Sequence, residues 1–271
     1  MKHFFIYIFS FALFVPIMSE AGLSAHRFAN QPHTQAKAHA ISKKLFSFQL
    51  QLQQPVDDSN LTRATDPESL SKPLEALDLS TIPDVGSYAD LENQFRMIRD
   101  TRYLETSEPS FPRRLTWLYP DDGCYARAQL AAEHLVESNF VTPKKVFAFG
   151  DLSAKTVNSP YGSVQWWYHV AVIYRVGNQP YVLDPAISPD APMPLNAWNS
   201  AINGGNDHVT YVVCSKDTFD PDGDCLKPAP ISDTFADSEQ RGFLSLEWDR
   251  LLQLDREPQK ELGEFPPWLN N

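Results

Sequence analysis

Apolar and polar positions change their period several times along this chain, and each change marks an element. From Ser87 onward, Tyr88, Leu91, Phe95, Met97 and Ile98 recur at helical spacing and predict a helix from Tyr88 to Tyr103, closed off by Pro109 and Pro112. A second helical stretch follows Asp121-Asp122-Gly123, with Ala128, Ala131, Ala132, Leu135 and Val136 as its apolar positions. Asp122, or Asp121, is expected to cap its first turn by accepting from the orphan N–H groups. The alanines at 126, 128, 131 and 132 leave little side chain, so this helix can lie close against a sheet. Period two then takes over. Lys145–Gly150 reads as a strand and Val164–Tyr174 as a longer one. Gly177-Asn178 is a turn signal, and Pro180–Asp184 is the return strand, stopped by Pro185. Strict alternation places Trp167, His169, Ala171 and Ile173 on one face. Phe243–Leu252 fits a strand or a helix equally well.

The two ends read differently. Lys2 and His3 precede an apolar run from Phe4 to Ile17, too short for a stable span, and Ser19-Glu20-Ala21 offers small residues where a signal peptidase cuts. Residues 1–21 are therefore expected to be a signal peptide cleaved after Ala21, which makes the protein secreted or periplasmic. Residues 22–85 are polar and lack Cys and Trp; within them Leu45–Gln53 alternates like a strand, and Asp57–Lys72 reads as mobile. This extension is either a propeptide that lays a strand near the active site, or a remnant of secretion or edge decoration. Residues 86–255 form the expected catalytic unit, and 256–271 an extended tail. The net charge of −11 argues against nucleic acid or an anionic membrane as partner. No second long apolar run follows, so stable membrane insertion is not expected.

Cys124 opens the alanine-rich helix. A thiol there feels the positive end of the helix dipole, which favours negative charge on sulfur, and the same N–H groups can receive an oxyanion. A small buried cysteine used only for packing is the alternative. A base decides between them. His169 lies mid-strand among aromatics, and Asp184 ends the adjacent strand, within reach of the imidazole. His134 sits ten residues along the Cys124 helix, about 15 Å from the thiol along the axis. His208, after Gly204-Gly205-Asn206-Asp207, reads as a loop residue. Spacing alone leaves a Cys–His–Asp triad and a structural histidine both open.

Asp122-Gly123-Cys124-Tyr125-Ala126-Arg127-Ala128, Tyr168-His169-Val170-Ala171 and Leu183-Asp184-Pro185, with Trp198 shortly after, resemble the catalytic motifs of bacterial protein-glutamine glutaminases, or protein deamidases. The resemblance covers about residues 110–200. It implies an α+β, papain- or transglutaminase-like core in which a Cys-bearing helix packs on an antiparallel sheet carrying His and Asp. It also implies synthesis as a preproprotein, and hydrolysis of glutamine side-chain amides in proteins or peptides to glutamate and ammonia. By the same resemblance Cys124 is the nucleophile, His169 the general base and acid, and Asp184 the residue that orients the ring. No metal or organic cofactor is required. Tyr125, Trp166, Trp167 and Tyr168 are candidate substrate-binding walls, with core packing as the bland reading of each. A monomer acting on a glutamine-containing protein is expected.

Three cysteines in an exported chain leave one thiol over. Cys214 and Cys225 flank a short loop and are expected to form a disulfide, leaving Cys124 free. Asp220-x-Asp222-Gly223-Asp224 lacks the downstream Glu of a calcium loop and reads as a solvated turn, so no metal is assigned. Two other readings compete: a transglutaminase or cysteine peptidase on the same core, and a non-enzymatic exported binding module with an aromatic-lined cleft.

Overall fold

The computed structural model describes residues 65–104, 106 and 112–263. The expected leader, the strand at 45–53 and the last eight residues of the tail lie outside the described residues. In chain order the helices are α1 (Pro67–Leu70), α2 (Tyr88–Asp100), α3 (Cys124–Glu137), α4 (Leu195–Ile202), α5 (Asp233–Arg241), α6 (Leu244–Gln253) and α7 (Pro258–Leu262). The strands are β1 (Lys144–Lys155), β2 (Ser163–Val176), β3 (Gln179–Leu183), β4 (Met193–Pro194) and β5 (Thr210–Ser215). They form one antiparallel sheet in the order β4-β3-β2-β1-β5. Helix α3 packs on β2, so the fold is α+β, with a Cys-bearing helix against an antiparallel sheet.

Helix α3 follows its pattern closely. Its alanines and Leu130 and Leu135 are buried with Cys124, Tyr125 and Arg127. Its cap departs from expectation. The N-cap is Gly123 in the left-handed region at φ 77°, and no side chain caps the turn. Asp122 instead accepts from the Gly123 N–H at 2.8 Å. Glycine is required at 123 twice over. The φ favours it, and a Cβ there would lie 2.9 Å from the Phe243 ring.

The β2–β3 hairpin turns at Gly177 (φ 58°) as the sequence signals. Strand β1 is longer than expected because it passes through an irregularity between Phe149 and Leu152, where Gly150 and Asp151 face Trp167 alone. Such a bulge increases local twist. Beside it strict alternation gives way: Trp166, assigned to the face opposite His169, stacks on the imidazole at 4.7 Å.

The chain joins this domain from Thr65 onward. Its carbonyl accepts from the Cys225 N–H, and Lys72 exchanges two backbone hydrogen bonds with Tyr211 on β5. Pro83 and Val85 bond to Arg175 on β2. Leu70, Leu74, Leu77 and Leu79 pack on the core. The stretch 65–72, expected to be mobile, is thus tied to a sheet edge by backbone bonds that its polar side chains do not reveal.

Beyond the disulfide the chain is helical. Ser232 starts α5 by accepting from the Phe235 N–H. The ambiguous stretch 243–252 is helix α6. The expected extended tail begins instead with α7, because Pro258 fits the first helical turn and Leu262 buries its side chain beside Trp248 and Leu251.

Candidate active site

Helix α3 and the β2–β3 pair bring Cys124, His169 and Asp184 together. Cys124 is the free cysteine, since Cys214 and Cys225 are joined with an S–S distance of 2.05 Å. All three side chains line one small cavity together with Trp117, Arg127 and Ala128. His169 Nε2 lies 2.7 Å from Asp184 Oδ2, and both side chains are buried. Trp198 on α4 donates its indole N–H to the same Oδ2 at 2.9 Å. The imidazole also stacks against Trp198, with centroids 5.8 Å apart. Trp166 in turn donates to the Pro120 carbonyl at 2.9 Å, which ties β2 to the segment leading into Cys124.

The charges follow from these contacts. Burial disfavours imidazolium, but the Asp184 carboxylate and then the Cys124 thiol outweigh it, raising His169 from 6.5 to about 9. Burial opposes ionisation of Asp184 too, yet His169 and Trp198 hold its carboxyl below the usual range. Asp184 therefore accepts, and Nε2 donates. That leaves Nδ1 to face chemistry. It is buried and, among the described residues, forms no hydrogen bond; the neighbouring thiol acts on the ring without meeting hydrogen-bond geometry. The arrangement can take a proton from sulfur at Nδ1 while Asp184 holds the ring from the other side.

The remaining expected residues are placed differently. Tyr125, Trp166, Trp167 and Tyr168 are all buried. Tyr125 packs edge-on to Phe219 and donates to Glu239 at 3.0 Å. Trp167 and Tyr168 pack on Phe149. Of the four, Trp166 touches the triad. His134 lies at the far end of α3, stacked on Tyr103 with centroids 4.1 Å apart, and His208 sits in an exposed turn. In the Asp-rich loop Asp220 accepts from the Asp222 N–H, while Asp224 accepts from Thr65, Leu226 and Lys227. Trp198 had no assigned role in the sequence; its signal was the match to a tryptophan of the family the motifs resemble.

The C-terminal helices close around the segment that carries Cys124. The Leu118 N–H donates to the buried Glu247 carboxylate at 2.9 Å. Arg250 grips Asp121 through both Nη atoms, at 2.5 and 3.0 Å. Gln240 bonds to Thr116.

A Cys-bearing helix on an antiparallel sheet that supplies a His–Asp pair is the arrangement of a papain- or transglutaminase-like fold. A glutaminase family model matches residues 91–202, which contain all three side chains. A crystal structure of protein-glutaminase is 30% identical, with 52% of this chain and 76% of that chain covered and a TM-score of 0.40. The NMR structure of protein-glutaminase from Chryseobacterium proteolyticum is 28% identical, covering 61% of this chain and 89% of that one, with a TM-score of 0.48. A crystal structure of pro-protein-glutaminase is 26% identical with a TM-score of 0.45; the match covers 60% of this chain and 58% of that chain. No curated protein matches. Residues 91–202 therefore belong to the glutaminase family.

Proposed function

We propose that this protein is an exported protein-glutamine glutaminase. Its substrate is the side-chain amide of glutamine in a protein or peptide, and its products are glutamate and ammonia. The observation that carries this reading is the buried His169–Asp184 contact of 2.7 Å beside the free cysteine of a helix N-terminus, inside the segment that matches the glutaminase family. Nδ1 of His169 takes the Cys124 proton, and the thiolate attacks the glutamine Cδ. The oxyanion that forms is met by backbone N–H groups at the N-terminus of α3. Imidazolium protonates the amide nitrogen, ammonia leaves, and a γ-glutamyl thioester remains. The neutral imidazole then takes a proton from water, whose oxygen attacks the thioester; glutamate and the thiol are released. Asp184 keeps the ring aligned and stabilises its charged form throughout.

Export is supported by the Cys214–Cys225 disulfide, which persists in oxidising compartments. Among the described residues no helix is long and apolar enough to cross a membrane. Cleavage after Ala21, an inhibitory role for the following segment and action as a monomer belong to the same proposal. The test is ammonia release from casein by wild type and Cys124→Ala, before and after limited proteolysis. Ammonia that requires Cys124, without new peptide termini, is the expected result. Incorporation of an amine in place of water would make the protein a transglutaminase, and new termini would make it a peptidase.

A further inference from the structure

The reaction just described leaves one partner unassigned: a side-chain donor for the oxyanion. We propose that Trp117 supplies it through its indole N–H. Trp117 is 4% exposed, and among the described residues its Nε1 has no hydrogen-bond partner. Leaving such a donor buried and unmade is destabilising. Its ring walls the cavity shared with Cys124 and His169. That cavity has a volume of about 10 Å³, the space of roughly one oxygen-sized group. A buried, unmade donor on a residue that lines the same one-oxygen space as the thiol is what a developing oxyanion needs.

Two sets of contacts hold the ring where it is. The Arg127 guanidinium lies over the indole, with Cζ 5.9 Å from the ring centroid. Arg127 is itself fixed by the carbonyls of Tyr119 at 3.1 Å and Asp122 at 2.7 Å. On the other side of the chain, Thr116 is bound by Gln240 and Leu118 by Glu247, so both neighbours of Trp117 are anchored to the C-terminal helices. Among the described residues Arg127 Nη2 is a second unpartnered donor on a residue lining the same cavity, but its guanidinium is already committed through Nη1, whereas Nε1 is the sole polar side-chain atom of Trp117.

The proposal rests on the thiol-hydrolase reading, and its test separates the two. Trp117→Phe removes the N–H and keeps an aromatic ring; replacing Trp117 by benzothienylalanine removes the N–H and keeps the full shape. Each is assayed for ammonia release from casein and, in parallel, for acylation of Cys124 by 4-nitrophenyl acetate, which also passes through an oxyanion. Alkylation of Cys124 by chloroacetamide, which forms no oxyanion, is the control. Both variants are expected to lose about 100-fold in kcat with KM changed less than about threefold, to acylate correspondingly slowly, and to alkylate at the wild-type rate. Wild-type acylation by the benzothienyl protein would overturn the proposal. A loss of alkylation equal to the loss of acylation would overturn it too, because Trp117 would then act on the thiol rather than on the oxyanion. Wild type that is acylated by the ester yet silent on casein would remove the glutaminase reading while still testing Trp117.

Discussion

Replacing Trp198 by Phe isolates a single hydrogen bond in the proposed catalytic constellation. The indole N–H donates to Asp184 Oδ2 at 2.9 Å, the oxygen that also receives His169 Nε2 at 2.7 Å. Trp198 and Asp184 are both buried, so no water replaces the lost donor. A hydrogen bond to a buried charged group is worth about 1.5–3 kcal/mol. If that amount is lost from the stabilisation of Asp184 against imidazolium, and 1.36 kcal/mol is tenfold in rate, kcat/KM falls by about 10- to 150-fold. The sign in pH is fixed as well. Trp198 helps to depress the Asp184 carboxyl, so its removal raises that group and moves the acid limb of the rate profile to higher pH. The ring stack on His169 survives in the Phe variant, which distinguishes this effect from a misplaced imidazole. The assay is ammonia release from a glutamine-rich protein between pH 4 and 9, with thermal unfolding in parallel. A variant within twofold of wild type, with an unmoved acid limb, would refute the assignment of Trp198 as the donor that holds Asp184.

Two further outcomes follow from residues outside the triad. Lys145 is fully buried, bonded to Gln129 and to the Thr218 carbonyl, and burial lowers it from 10.5 to about 7 although Glu133 and Asp217 pull the other way. The unfolded chain then binds a proton that the folded one does not between pH 7 and 10.5, so this lysine makes stability rise with pH there, by at most about 1.4 kcal/mol per unit. His169 has the opposite sign: its contribution is complete below 6.5 and is lost as pH rises through about 9. Urea titrations of wild type and Lys145→Met at pH 7.5 and 9 separate the two, and equal pH slopes would sink the assignment. Replacing both Cys214 and Cys225 by Ala opens a loop with a separation of 11 residues and is expected to cost about 3 kcal/mol of stability by denaturant titration while leaving ammonia release at 25 °C intact. A loss of activity in the folded double variant would show that the β5 edge reaches the site.

The parts of the site legible in the sequence are those set by local rules. Period 3.6 over the alanine-rich stretch gave helix α3, and period two with Gly177-Asn178 gave the β2–β3 hairpin, so Cys124, His169 and Asp184 could be named with their elements. Odd cysteine arithmetic separated Cys124 from the Cys214–Cys225 pair. What the sequence could not place are contacts made across the fold. Gly123 rather than Asp122 caps α3 because Phe243, far along the chain, packs where a side chain would go. Of the four aromatics read as walls, Trp166, Trp167 and Tyr168 are buried because β2 is covered on both faces, and Tyr125 because α3 packs it on Phe219 and Phe243; alternation foretells neither. Trp198 reaches Asp184 only through the packing of α4 on β3, and Glu247 meets Leu118 across 129 residues. Periodicity reports which side of an element is apolar; which polar atom meets which is decided when the elements pack, because a buried donor or acceptor must find its partner wherever the chain brings one.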